Sequence, residues 1–90
     1  MLLTEVATKL DMTPERLEQD SLRAYLERKL RVTESELFSL ARRYGVQTVF
    51  ELDRAIQAGR FHEPEAFEDY FRFDYLENEQ SSVRELLAKI

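Results

Sequence analysis

From Pro14 to Tyr44 the chain runs 31 residues without a glycine or an internal proline, and Gly45 then stops it. Few folds accept such a run. Leu26, Leu30, Thr33, Leu37, Leu40 and Tyr44 follow one another at spacings of 4, 3, 4, 3 and 4, with Leu22 one turn earlier. That alternation keeps one apolar seam on one side of an α-helix. Thr13 is a good N-cap, Pro14 suits the first helical position, and Gly45 suits the left-handed residue after the last turn. The predicted helix 14–44 would be about 46 Å long at 1.5 Å per residue. Within it, Thr33 and Glu36 have capping-box spacing, and Val32 and Leu37 have staple spacing. A restart at Thr33 is therefore an alternative. With no Gly or Pro to turn the chain, continuity is the expectation.

A second long helix is predicted over 64–89, opened by Pro64. Phe73, Leu76, Gln80, Val83, Leu87 and Ile90 repeat at 3, 4, 3, 4 and 3 and match the first seam. Two such seams pack as an antiparallel hairpin. Between them, Thr48 and Glu51 have capping-box spacing, so a short helix over 49–58 ends before Gly59. A short N-terminal helix over 3–10 would carry Leu3, Val6, Ala7 and Leu10 on one side. The expected fold is all-α: one helical domain over 1–90, with two long antiparallel helices, a short connecting helix and a short N-terminal helix.

The last helix holds one stripe too many. Phe67, Phe71 and Tyr75 recur at i, i+4 and i+8, more than about 90° around the wheel from the seam. One hairpin buries one face of each helix. A compact monomer of this size has a radius of gyration near about 12 Å, which a 46 Å helix does not fit. The second stripe therefore needs a cover: part of helix 49–58, a second copy in a four-helix arrangement, or a different protein.

Charge narrows the choice. Residues 1–45 hold eight basic and eight acidic side chains, whereas 46–90 hold five and ten and carry the whole excess behind the net charge of −5. Six of the ten aromatics and seven acids fall in 61–79, with Arg72 the one arginine or lysine there. Phosphate neutralisation needs Lys and Arg, so nucleic acid is a poor partner for this half. A basic protein is a good one. The expected partner-binding residues are Phe67, Glu68, Asp69, Tyr70, Phe71, Asp74 and Tyr75. Two readings stand for them: a site for a basic protein, or the core of a homodimer.

Other chemistry finds little support. There is no cysteine, and the single histidine, His62, rules out paired-histidine zinc motifs. The acids follow no spacing that sets an acid against a base, and no glycine-rich phosphate loop is present. No enzyme, metal or cofactor is expected. TEVATKL-DMT-PERLEQDSL imitates a helix-turn-helix. Its would-be recognition helix, however, sets Glu15, Glu18 and Asp20 against Arg16, and Asp11 stands where such turns often have Gly. Arg23, Arg28, Lys29 and Arg31, then Arg42 and Arg43, form basic clusters expected to pair with acids of the neighbouring helix. A DNA-binding regulator using them ranks third. No apolar run approaches a membrane span of roughly 18 residues. MLLTEVATKL lacks a charged region ahead of an apolar core, so the expected setting is cytoplasmic.

MTPERLEQDSLRAYLERKL resembles the helix of small prokaryotic antitoxins, in which a Thr/Ser-Pro-Glu-Glu start leads into a Leu-Arg-x-Tyr-Leu stretch. Thr13, Pro14, Glu15, Leu22, Arg23, Tyr25 and Leu26 carry the match. ARRYGV, ELDRAIQAG and FEDYFRFDYLE together are similar to small helical proteins of toxin–antitoxin gene pairs. The resemblance implies a protein that neutralises a basic toxin, with the acidic aromatic segment as the neutralising surface. It does not extend to operator binding, because MLLTEVATKL holds only Lys9 where ribbon–helix–helix antitoxins have a basic strand.

Overall fold

The computed structural model describes residues 1–90 and contains four helices: α1 (Leu2–Lys9), α2 (Pro14–Tyr44), α3 (Val49–Gln57) and α4 (Pro64–Ala88). Their ends lie within one residue of the positions expected from capping and periodicity, the ordinary uncertainty of a frayed terminus.

The caps explain the boundaries. The Thr13 hydroxyl accepts the Arg16 N–H at 3.1 Å, ahead of Pro14. Gly45 sits at φ +66°, and the Val46 N–H donates to the Ala41 carbonyl at 3.0 Å. The left-handed glycine thus satisfies a carbonyl that the helix end would orphan. Thr48 caps α3 by accepting the Glu51 N–H at 3.2 Å, and the Glu51 carboxylate accepts the Gln47 N–H at 2.6 Å. Between α1 and α2 the turn residue Asp11 takes φ +56°. A left-handed L-residue costs about 1–2 kcal/mol. Asp11→Gly is expected to raise stability by about 0.5–1 kcal/mol after glycine's own entropy is subtracted. Chemical denaturation checks this.

α2 runs unbroken through Thr33, which is buried and points its hydroxyl at Glu79 across the hairpin, 3.5 Å away. Pairs at successive levels fix the antiparallel course: Arg43–Asp69 at 2.8 Å, Glu36–Arg72 at 2.5 Å, Lys29–Glu79 at 2.9 Å, and the Arg23 guanidinium on the Ile90 carbonyl at 2.5 Å. α3 packs on α4, and its first N–H, from Val49, donates to the Glu77 carboxylate at 2.9 Å.

The molecule is a rod of 60 × 21 × 18 Å with a radius of gyration of 18.8 Å, well beyond compact scaling. Its core is lopsided. Leu37, Leu40, Tyr44, Val46, Leu52, Ala66, Phe73 and Leu76 form one cluster where α3 meets the hairpin. At the other end α2 has no buried residue before Thr33, and its seam residue Leu22 is 49% exposed.

Candidate functional site: the outward face of α4

α4 turns Ala66, Phe73, Leu76 and Val83 inward. α3 lies along the side of Glu77, and Tyr70 packs against the core. The far side of α4 stays uncovered. Phe67, Phe71 and Tyr75 are 48%, 69% and 55% exposed there. These three exposed aromatics, one helical turn apart, form an apolar ridge along the helix. Glu68 and Asp74 stand three residues before and after Phe71, about 60° to either side of it. Both are exposed, and neither has a basic side chain within 4.0 Å. The ridge is therefore flanked by free carboxylates on both sides. Arg72 lies over the Tyr75 ring at 5.4 Å, but its charge is engaged by both oxygens of Glu36. That pair holds the Glu36 carboxyl below its usual range and the Arg72 guanidinium above its own.

Two of the seven expected site residues make contacts within the fold. Tyr70 is half-buried and meets the Phe71 ring edge-on at 5.3 Å. Asp69 accepts a 2.5 Å hydrogen bond from the Tyr44 hydroxyl and an ion pair from Arg43. Burial first, then the hydrogen bond to Asp69 and the charge of that carboxylate, push the Tyr44 hydroxyl up to about 12. The other five, Phe67, Glu68, Phe71, Asp74 and Tyr75, share the open face.

The basic clusters of α2 divide in the same way. Lys29 and Arg43 pair with α4, and Glu79 raises the Lys29 ammonium above its usual range. Arg42 covers the exposed Phe38 ring at 5.7 Å. Arg28 and Arg31 are exposed without an acid within 4.0 Å. His62 is exposed, and no three acid or histidine side chains are grouped to hold a metal. No helix is long and apolar enough to cross a membrane. A groove beside the hairpin, walled by Glu34, Phe38, Arg42, Glu77 and Gln80, gathers no set of reactive groups.

One exposed feature was not singled out as a site from sequence. α1 shows Leu2, Val6 and Leu10 at its surface, near Leu22 of α2 in the chain. Of Leu3, Val6, Ala7 and Leu10, which the spacing sets on one side of this helix, the structure buries Ala7 alone.

The features define a small all-α domain, an elongated helical hairpin with two short accessory helices. The chain belongs to the Uncharacterized protein MJ0235 family, whose model matches residues 1–90. No curated protein and no solved structure matches it.

Proposed function

We propose that the chain is a non-enzymatic protein-binding module, antitoxin-like and cytoplasmic, that covers a basic protein with the outward face of α4. The observation that carries this reading is the ridge of Phe67, Phe71 and Tyr75 with free carboxylates on both sides. Aromatic anchors supply contact area at little entropic cost, and the flanking charge selects the sign of the partner and speeds its arrival. A basic toxin-like surface with apolar patches between its cations fits such a face.

The same ridge is a poor homodimer core. Two copies apposed through it would bring Glu68 and Asp74 close to the carboxylates of the partner copy. Like charges held together at an interface cost several kcal/mol. DNA binding finds less support still, since of the basic clusters only Arg28 and Arg31 lack an ion-pair, hydrogen-bond or cation–π partner within the chain.

Phe71→Ala and the double reversal Glu68→Lys/Asp74→Lys are expected to weaken capture of a basic protein from the native cells by about 30-fold or more. Helical content should stay unchanged, because none of the three side chains is buried. Undiminished capture by both variants would remove α4 as the binding face. Asp69 is unsuitable for this test, since its reversal would set a cation against Arg43.

A further inference from the structure

We infer that the outward side of α2 is a second docking surface, opposite in sign to that of α4, and that it takes an acidic amphipathic helix of another protein. α2 carries two seams. The first, through Thr33, Leu37, Leu40 and Tyr44, is buried. The second, through Ala24, Arg28, Arg31, Ser35, Phe38 and Arg42, repeats at 4, 3, 4, 3 and 4. It lies about 180° around the wheel from the first. All six residues are exposed. Spacing of this kind keeps a seam facing one neighbouring helix along its whole length, here about 27 Å.

The outward seam holds three arginines and no acid. Arg28 and Arg31 have no carboxylate within 4.0 Å. Arg42 lies over the Phe38 ring at 5.7 Å, a contact that leaves its charge in place. Between residues 24 and 42 the acids are Glu27, Glu34 and Glu36. Arg84 holds Glu34 and Arg72 holds Glu36. Glu27 is unpaired, but it stands about 70° away from the seam. The acids on the outward face of α4 lie across a rod 18–21 Å thick. That exceeds the Debye length of about 8 Å at physiological salt, so they do not cancel the arginines.

The side chains choose among anionic partners. Phe38 and, beside the seam, Val32 are 62% and 63% exposed and offer apolar anchors. Ala24 and Ser35 are small and let a neighbouring helix come close. Arginine forks grip carboxylates through two parallel N–H bonds. A nucleic-acid duplex fits poorly. From Arg31 to Arg42 the seam runs about 16 Å without a cation, a length over which a duplex carries roughly ten charges. Acidic lipid is recognised by clusters of about 4–8 basic residues. This seam has three, on a chain of net charge −5. A helix with carboxylates at both ends of the contact and apolar side chains between them matches the arginines and the anchors together. α2 and α4 then hold partners of opposite charge on opposite sides of one rod.

Fluorescence anisotropy with a labelled synthetic peptide tests this. The peptide is a helix of about three heptads, with glutamates set to meet Arg28, Arg31 and Arg42 and leucines to meet Phe38 and Val32. Saturable binding in the micromolar range is expected, weakening as salt rises. The same peptide with lysine in place of glutamate should not bind. Arg28→Glu/Arg31→Glu should weaken binding by about 30-fold or more, and Phe38→Ala by about tenfold. Glu68→Lys/Asp74→Lys on α4 should leave it within about twofold. All these side chains are exposed, so helical signal should be retained. Polyuridylate and phosphatidylserine vesicles are titrated in parallel, and light scattering follows the chain alone. Absence of saturable peptide binding would overturn the inference, as would binding that the arginine reversal leaves unaltered. Tighter binding of polyuridylate or of vesicles would overturn it too, in favour of RNA or lipid. Growth of the chain's own mass that the arginine reversal abolishes would overturn it in favour of a second copy. Loss of the basic partner in the α4 variants leaves the peptide affinity unchanged, so the two readings fail separately.

Discussion

Phe73→Ala should cost about 3–5 kcal/mol, the range for emptying a buried phenylalanine site. Phe73 is 1% exposed and stands where α2, α3 and α4 meet. A domain of this length has about 5–13 kcal/mol in all. Few other residues can share the loss, since only 12 of 90 are buried. One eight-residue cluster holds the end of the rod where α3 packs, and further along the hairpin only Thr33 and Val83 are buried between α2 and α4. Urea denaturation followed by circular dichroism would show the midpoint collapse. Phe71→Ala, two positions earlier on the same helix, is the matched control, expected within about 0.5 kcal/mol of wild type. Equal effects at the two positions would mean that the two faces of α4 are wrongly distinguished.

The second large effect lies at alkaline pH. The Tyr44 hydroxyl is pushed from its ordinary 10.0 up to about 12, by burial and by its bond to Asp69. The folded protein therefore favours the neutral phenol. Its contribution is fully present below pH 10 and is lost as pH rises through about 12. Two pH units correspond to roughly 2–3 kcal/mol. The hydroxyl lies at the rim of the core beside Arg43, whose side chain is 61% exposed, so solvent screening reduces this figure. Stability measured by denaturation across pH 9–12 should fall more steeply in the wild type than in Tyr44→Phe. The variant should be weaker by about 1.5–3 kcal/mol at neutral pH, since it loses a hydrogen bond to a charged acceptor. Parallel pH curves for the two proteins would contradict the shift.

Much of this fold is legible in the pattern of residues. Thr13, Pro14, Gly45 and Thr48 punctuate the helices by local chemistry, which needs no tertiary knowledge. The two seams predict the hairpin because their spacings match. Thr33 is different. Its capping-box spacing with Glu36 is a true local signal, overridden because a hydroxyl facing Glu79 inside a continuous hairpin keeps the helix intact. Asp69 could not be sorted from its neighbours in sequence. It reads as one acid among seven, and only the register of α4 against α2 brings it to Tyr44, 25 residues away. The aromatic ridge was visible as a second stripe on α4. That α3 would pack toward Glu77 and leave the ridge open depends on where the chain turns at Gly45 and Gly59, which periodicity does not encode. The apolar side of α1 was visible too, but that Leu10 stays exposed on it emerges only from the packing.

The rod shape also governs how the molecule moves in water. α2 and α4 run along its long axis, and helical amide N–H bonds point along their helix. Spinning about that axis barely reorients these bonds, so only the slow end-over-end rotation of a 60 Å particle can relax them. The amides of both long helices should therefore report one common, slow nanosecond correlation time, longer than that of a sphere of equal mass. Bonds inclined to the axis should sense the faster spin as well.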